Sequence, residues 1–280
     1  MKLFTALQLE LVKIFRQRGT YVAYGILAVV TGLMVWGLHQ FGAPHKFQVR
    51  HPAGTEMAVG GNLVTAFTLA RHIMEPVFVI LVPMLVAMVC GGLIGAESRS
   101  GVLRTWLCRP ISRGALFTAK LLAGFIYAAT LSLFLGLFAV GLGYIVFGGG
   151  DLITYGDKGL VILEESLAWP RLALAYGMAA LLMCAIASVA LLASVLFENP
   201  LVAAGATVAI IPICGVLQAM EYFRFLEPYL LTTYLDVWKH AFNAAVDFSD
   251  FRNALYCVAG YGLIPYVIGG LVFWRRDVTA

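Results

Sequence analysis

The chain has 280 residues, 61% of them hydrophobic and 12% charged, with a formal net charge of +4. Soluble domains carry about 25% charged residues, so half that share leaves too little polar surface to keep a globule of this size in water. No basic, aromatic-interleaved face exists outside the apolar segments, which argues against nucleic acid as a partner.

At the N-terminus, Phe4, Leu7, Leu11 and Ile14/Phe15 recur at helical spacing opposite Lys2, Lys13, Arg16 and Gln17. Residues 1–18 are therefore expected to form an amphipathic helix lying in the cytoplasmic interface; a merely solvated basic N-terminus is the bland alternative. A signal peptide is argued against, because the next apolar run is too long and no A-x-A pattern follows Leu38.

Six segments are then long and apolar enough to cross ~30 Å of hydrocarbon, which takes about 20 helical residues. They fall near Thr20–Leu38, Pro76–Ala96, Lys120–Phe147, Pro170–Phe197, Leu201–Met220 and Asn253–Trp274. The runs do not alternate and exceed the length of a barrel strand, so an all-α, polytopic bundle over residues 20–274 is expected within one domain spanning 1–280. With six spans both termini share a side. The segments on that side hold 11 Lys and Arg against four acids, whereas the opposite segments hold eight against eleven. Retention of basic residues places both termini in the cytoplasm of a bacterial cell, with the chain in its inner membrane. Trp36, Trp169 and Trp274 sit at span ends, where interfacial anchors belong. Gly91 and Gly95 form a small-xxx-small face, and Pro83, Pro212 and Pro265 permit kinks.

The loop over 97–119 is the most informative stretch. Leu103 and Leu107 lie one turn apart with Val102 and Trp106 beside them, and Arg99, Arg104 and Arg109 surround them with positive charge. Pro110 stops this helix and Ser112 is placed to cap the next one. A short amphipathic helix held crosswise between two rigid spans transmits force if something docks on it. The pattern Glu97-x3-Gly101-x-Leu103-x3-Leu107-x2-Pro110-Ile111-Ser112-Arg113-x2-Leu116-x3-Lys120 resembles the signature of ABC-2 type permeases, the membrane subunits of ABC transporters. The resemblance implies an ABC-2 type transmembrane domain and a coupling helix that fits a groove on a separate ABC ATPase. Glu97, Gly101, Leu103, Arg104, Leu107, Pro110 and Arg113 would serve that docking. It further implies a smaller contact at Glu198 and Asn199, where a bare helical-hairpin turn is the alternative, and short helices capping the exit side over 221–252. An interfacial amphipathic excursion is the other reading of that last segment, which mixes Tyr222, Phe223, Phe225, Leu226, Tyr229 and Leu230 with acids.

Several chemistries are missing. No G-x-x-x-x-G-K-[ST] phosphate loop occurs, so ATP and Mg²⁺ would be held by the partner subunit and this chain would bind no cofactor. The five histidines lie outside the spans or at their outer edge and no HExxH exists, so no intramembrane catalytic constellation is available. His39, His45, His51 and His72 crowd near Met57 and Met74; solvated loop histidines are the commoner reading than a metal site. The five cysteines form no CxxC, and four lie in apolar stretches. Glu75, Glu97, Lys120 and Arg171 are read as span-end residues, which leaves no mid-membrane charge for an ion path. The sum is a permease subunit of an ATP-driven exporter of an amphipathic or hydrophobic substrate, forming a homodimer or a heterodimer with a second permease in membrane lipid. A non-transporting anchor or regulatory subunit is the alternative.

Overall fold

A computed structural model describes residues 3–41, 47–50, 56–59, 64–101, 112–156, 159–243 and 248–275. Helix α1 (Leu3–Arg16) is followed after Gln17 by α2 (Arg18–Phe41). The tight junction is held from inside: Thr20 Oγ1 donates to Ile14 O at 2.5 Å, and Gln17 N donates to the same carbonyl. The packed face of α1 is Ala6, Glu10 and Ile14, while Phe4 is exposed. The apolar stripe expected from Phe4 to Phe15 is thus rotated, because the helix sets its Ala6–Glu10–Ile14 face against α5.

The second span is longer than its apolar run. It begins with α3 (Ala66–Pro76), passes through a π turn at Val77–Leu81 and continues as α4 (Val82–Arg99). Thr65 caps α3 by accepting from Thr68 N. In the π turn Val82 N–H reaches back five residues to Val77 O. Pro76 and Pro83 bracket this turn; a proline ring crowds the carbonyl four residues back, which the wider turn relieves. Helix α5 (Arg113–Phe147), α6 (Glu165–Leu196), α7 (Pro200–Ala219) and α9 (Phe248–Arg275) complete the bundle, with the one-turn α8 (Leu231–Tyr234) between the last two. Among the described residues six helices are long and apolar enough to cross a membrane, so the chain is an all-α, multi-pass membrane protein. At 35 residues, α5 is about 52 Å long at ~1.5 Å per residue, well beyond the hydrocarbon thickness.

Helix α6 is the centre, touching α4, α5, α7 and α9. The faces of α2, α7 and α9 turned away from it carry exposed Tyr21, Val29, Leu33, Ile213, Val216, Leu263 and Ile264. In water such a surface would aggregate; in lipid it is the expected finish. Trp36, Trp169 and Trp274 are exposed close to helix ends.

The two ends of the bundle differ. At the terminal end lie α1, the chain leaving α4, the start of α5, the α6–α7 turn and the end of α9. The opposite end carries two antiparallel hairpins that the apolar runs do not announce. One pairs β1 (Phe47–Arg50) with β2 (Glu56–Val59); the other pairs β3 (Leu152–Gly156) with β4 (Gly159–Leu163). The second is pinned to α3, since Thr65 Oγ1 donates to Asp151 O and Ile153 N donates to Thr68 Oγ1. The segment from 220 to 243 forms short helices there, with 3-10 turns at Glu221–Tyr229 and Val237–Phe242 around α8. Its buried residues are Leu230, Leu231, Leu235, Val237, Trp238, Ala241 and Phe242, whereas Tyr222, Phe225 and Tyr229 are exposed. The second half of the segment, not its aromatic first half, plugs the bundle. Arg171 Nη1 donates to Ala241 O, and Lys239 pairs with Glu75 at 2.7 Å and Asp236 at 3.2 Å. Burial works against the Lys239 ammonium, but those hydrogen bonds and charges outweigh it and raise its pKa.

Two glycines on α5 test how tightly the hairpin end is packed. A Cβ on Gly143 would lie 2.8 Å from Ala66 Cα, while one on Gly141 meets nothing within 4 Å. Gly143→Ala is therefore expected to destabilise by about 1–3 kcal/mol through overpacking. Gly141→Ala should be neutral or raise stability by up to about 1 kcal/mol. Thermal unfolding of the purified variants in detergent checks the contrast, and equal melting temperatures would contradict the close α3–α5 approach.

Candidate functional site

The terminal end gathers the charges that sequence reading assigns to span ends. Glu10 and Lys13 come from α1, one turn apart; Glu97 comes from the last turn of α4; Lys120 lies two turns inside α5. Lys120 Nζ donates to Glu10 Oε1 at 2.9 Å and to Leu93 O at 2.9 Å, and it pairs with Glu97 Oε2 at 2.8 Å. Two hydrogen bonds and one further ion pair thus engage a single ammonium. Lys13 pairs with Glu97 from the other side. The side chains of Lys120 and Glu10 are 0% exposed, that of Glu97 is 5% exposed and that of Lys13 is 42% exposed. Two acids and two bases balance, although Glu10 Oε2 and both Glu97 carboxylate oxygens keep no hydrogen-bond partner and Glu97 is held by charge alone. A buried ion costs several kcal/mol unless it is paired, so this quartet holds α1, α4 and α5 in one arrangement.

Glu97 and Lys120 stand near span ends, as expected, yet both are buried, which that expectation did not include. Glu10, which the sequence reading left unassigned, completes the set. Its one local signal was an acid in the stripe Ala6–Glu10–Ile14; the partner lies 110 positions away.

The expected docking residues divide three ways. Leu103, Arg104, Leu107 and Pro110 lie outside the described residues. Gly101 ends α4 with φ +71°, a left-handed conformation that glycine adopts without a Cβ penalty. Ser112 caps α5, accepting from Ala115 N at 3.3 Å, as the sequence implied. Arg113 Nη1 donates to Trp274 O at 2.9 Å, which ties the start of α5 to the end of α9. Glu97 faces inward, into the quartet, instead of outward.

Glu198 and Asn199 occupy the α6–α7 turn. Asn199 Oδ1 accepts from Leu201 N at 3.0 Å and caps α7. This turn presses on α4: a Cβ on Gly95 would lie 2.8 Å from Phe197 O, and one on Gly91 would lie 3.0 Å from Ala204 N. Ser194 Oγ accepts from the N–H groups of Ile94 and Gly95 at 3.0 Å each, a polar link between α6 and α4. The small-residue face of the sequence is therefore where α4 meets the α6–α7 turn. A recess of about 440 Å³ opens beside it, lined among others by Lys13, Gln17, Glu97, Ser100 and Pro200.

Among the described residues no group of three or more His, Cys, Asp or Glu side chains is placed to hold a metal. His39 stands 6.3 Å from the Phe147 ring, and His45 and His51 lie outside the described residues.

The quartet predicts a sign pattern for substitutions. Glu10→Leu strands the Lys120 charge and is expected to lose about 3–5 kcal/mol. Glu10→Leu combined with Lys120→Met removes one charge of each sign, leaves Glu97 with Lys13, and should recover most of that loss. Thermal unfolding of the purified single and double variants provides the check; a double variant less stable than Glu10→Leu alone would contradict a charge-balanced cluster.

No individual curated protein matches the chain. The family model described as ABC-2 family transporter protein matches residues 6–211, from α1 to the middle of α7, and so takes in the quartet, the loop after α4 and the α6–α7 turn. With that range and its six membrane-length helices, the chain belongs to the ABC-2 family of transporter membrane proteins.

Proposed function

We propose that this chain is the permease subunit of an ATP-driven exporter and couples to a separate ABC ATPase at its terminal end. Membership of the family supports a transport permease and, in general, an ABC ATPase partner. The observation that carries the coupling is the quartet. It clamps α1 to the two helices flanking residues 102–111, so a push on that loop moves three helices together. The α6–α7 turn packs on the same helix α4 and gives the partner a second foothold near Glu198 and Asn199. In this reading Leu103 and Leu107 are the apolar anchors, Arg104 and Pro110 shape the loop, Gly101 and Arg113 fix its two ends, and Glu97 acts from inside by positioning α1.

ATP and Mg²⁺ belong to the partner, since this sequence has no phosphate loop. The lysine and arginine bias puts the terminal end in the cytoplasm of a bacterial inner membrane. Energy arriving mechanically agrees with the quartet, whose charges are matched within the protein. The exposed apolar faces of α2, α7 and α9 suit lipid and a second permease, identical or different. An amphipathic or hydrophobic cargo suits a bundle whose described spans are lined by apolar and small residues.

Two measurements test this. A cysteine at Ser100, read with an impermeant maleimide in a Cys108-free background, should label only from the cytoplasm, and one at Glu164 only from outside. Reversed labelling would overturn the orientation. Replacing Leu103 and Leu107 together by Ala should leave expression and insertion near wild type while co-purification of the ATPase falls sharply, since buried interface anchors carry about 1–3 kcal/mol each. Ala at exposed Ile162, on the hairpin end, serves as the control. Undiminished ATPase binding by the double variant would contradict the assignment and favour an anchoring subunit.

A further inference from the structure

Another cleft lies away from the terminal end. A groove of about 740 Å³ runs along α9 beside α7. Asn253, Tyr256, Gly260, Tyr261, Ile264 and Pro265 line it, at steps of one, three or four residues that form a single helical stripe. From Asn253 to Pro265 the stripe is about 18 Å long at ~1.5 Å per residue. Ile210 of α7 and Val189 of α6 lie against it, and Tyr229 and Tyr234 close it at the hairpin end. The Tyr261 and Tyr234 rings are each tethered to backbone: Tyr261 Oη donates to Tyr229 O at 3.1 Å, and Tyr234 Oη donates to Pro228 O at 3.0 Å. Ile264 in its wall is exposed, as are Leu263, Ile213 and Val216 on the same two helices, so the groove faces hydrocarbon.

At its tyrosine end the groove adjoins a second recess of about 420 Å³, with which it shares Pro228, Tyr234 and Asn253. The chemistry changes there. Glu227, Asp236, Asp250 and His240 line the recess. Asp250 Oδ2 lies 2.6 Å from His240 Nδ1. Asp236 pairs with Lys239, which Glu75 also engages. Among the described residues no cation pairs with Glu227. An apolar slot about 18 Å long by the helical rise therefore ends beside a recess with more carboxylates than ammonium groups, framed by tyrosine rings.

We propose that this groove binds an elongated amphipathic cation, its apolar body along α9 and its ammonium or amine head among Glu227, Asp236 and Asp250. Charge complementarity selects that occupant: carboxylates and tyrosine rings attract a cation, and the same carboxylates repel the phosphate or sulfate head of an anionic amphiphile. All but Val189 and Ile210 of the lining lie beyond the range matched to the family, so the groove is a property of this chain's last quarter. The proposal rests on the permease reading only in making this ligand the transported class.

The test uses the full-length permease in nanodiscs without any ATPase, so its failure leaves the coupling assignment standing, and failure of coupling leaves this binding intact. The probes are radiolabelled dodecyltrimethylammonium and dodecyl sulfate, which share a chain and differ in head charge, each read against empty nanodiscs. Saturable binding of the cation, about tenfold tighter than that of the anion, is expected from the head-group charges. An added Cβ at Gly260 or Gly262 meets nothing within 4 Å, so both sites have room for a larger side chain. Gly260→Trp fills the groove and should abolish binding, while Gly262→Trp, outside the lining, should not. Glu227→Gln with Asp250→Asn should weaken the cation about tenfold and leave the sulfate probe unchanged or tighter. Equal affinity for the two probes would mean an ordinary acyl-chain slot and overturn the proposal. Binding that survives Gly260→Trp would overturn it as well. So would a wild-type dimer that Gly260→Trp converts to a monomer, because the groove would then hold a second copy of the chain.

Discussion

The ammonium of Lys120 has no contact with water, and the terminal half of the protein is arranged to make that tolerable. Three oxygens surround it, from α1, from the last turn of α4 and from the Leu93 carbonyl. Because the pairing is between helices, α1 cannot move independently of α4 and α5 without exposing or stranding a charge. The quartet thus converts a locally weak element, a 14-residue helix with an exposed apolar face, into part of a rigid frame. In low dielectric such pairs fix geometry strongly even where their net contribution to stability is small.

The same frame reaches the α6–α7 turn by a different physical route. Gly91 and Gly95 let α4 approach the backbone of residues 197–204 so closely that a methyl group would not fit, and Ser194 bridges the helices with a hydrogen bond. Arg113 carries the link on to the last carbonyls of α9. Charge pairing, close backbone packing and one guanidinium contact therefore join five segments around residues 102–111. The hairpin end is held otherwise, by buried Trp238 and Phe242, by the Thr65–Asp151 and Arg171–Ala241 bonds, and by the Lys239 ion pairs. A groove and an acidic recess lie at this end.

The spans were legible because apolar length has one physical meaning in a membrane protein, and all six expected segments lie within observed helices or overrun them by no more than a residue. Length was underestimated where polar residues ride on a helix. Arg71, His72 and Glu75 stop an apolar run, yet Arg71 lies over the Phe242 ring at 5.8 Å and Glu75 pairs with Lys239, so α3 continues past them. The β3–β4 hairpin carries a readable signal, Leu-Ile-Thr-Tyr before Gly-Asp-Lys-Gly and Leu-Val-Ile-Leu after it, although the segment is too short and too polar at its turn to register as an apolar span. The Ser112 cap was local and was read correctly. The quartet was not legible, because Glu10 and Lys120 meet only once the bundle has formed. The docking leucines rest on the resemblance alone.

The claim that the terminal end is where an ATPase engages can be measured directly by hydrogen–deuterium exchange on the purified permease with and without its ABC ATPase. The account predicts slowed exchange in residues 97–119 and in the turn at 197–200, extending into α1 through the quartet, with the β3–β4 hairpin and the 220–243 segment unchanged. Protection confined to the hairpin end, or none under conditions where the complex forms, would contradict it.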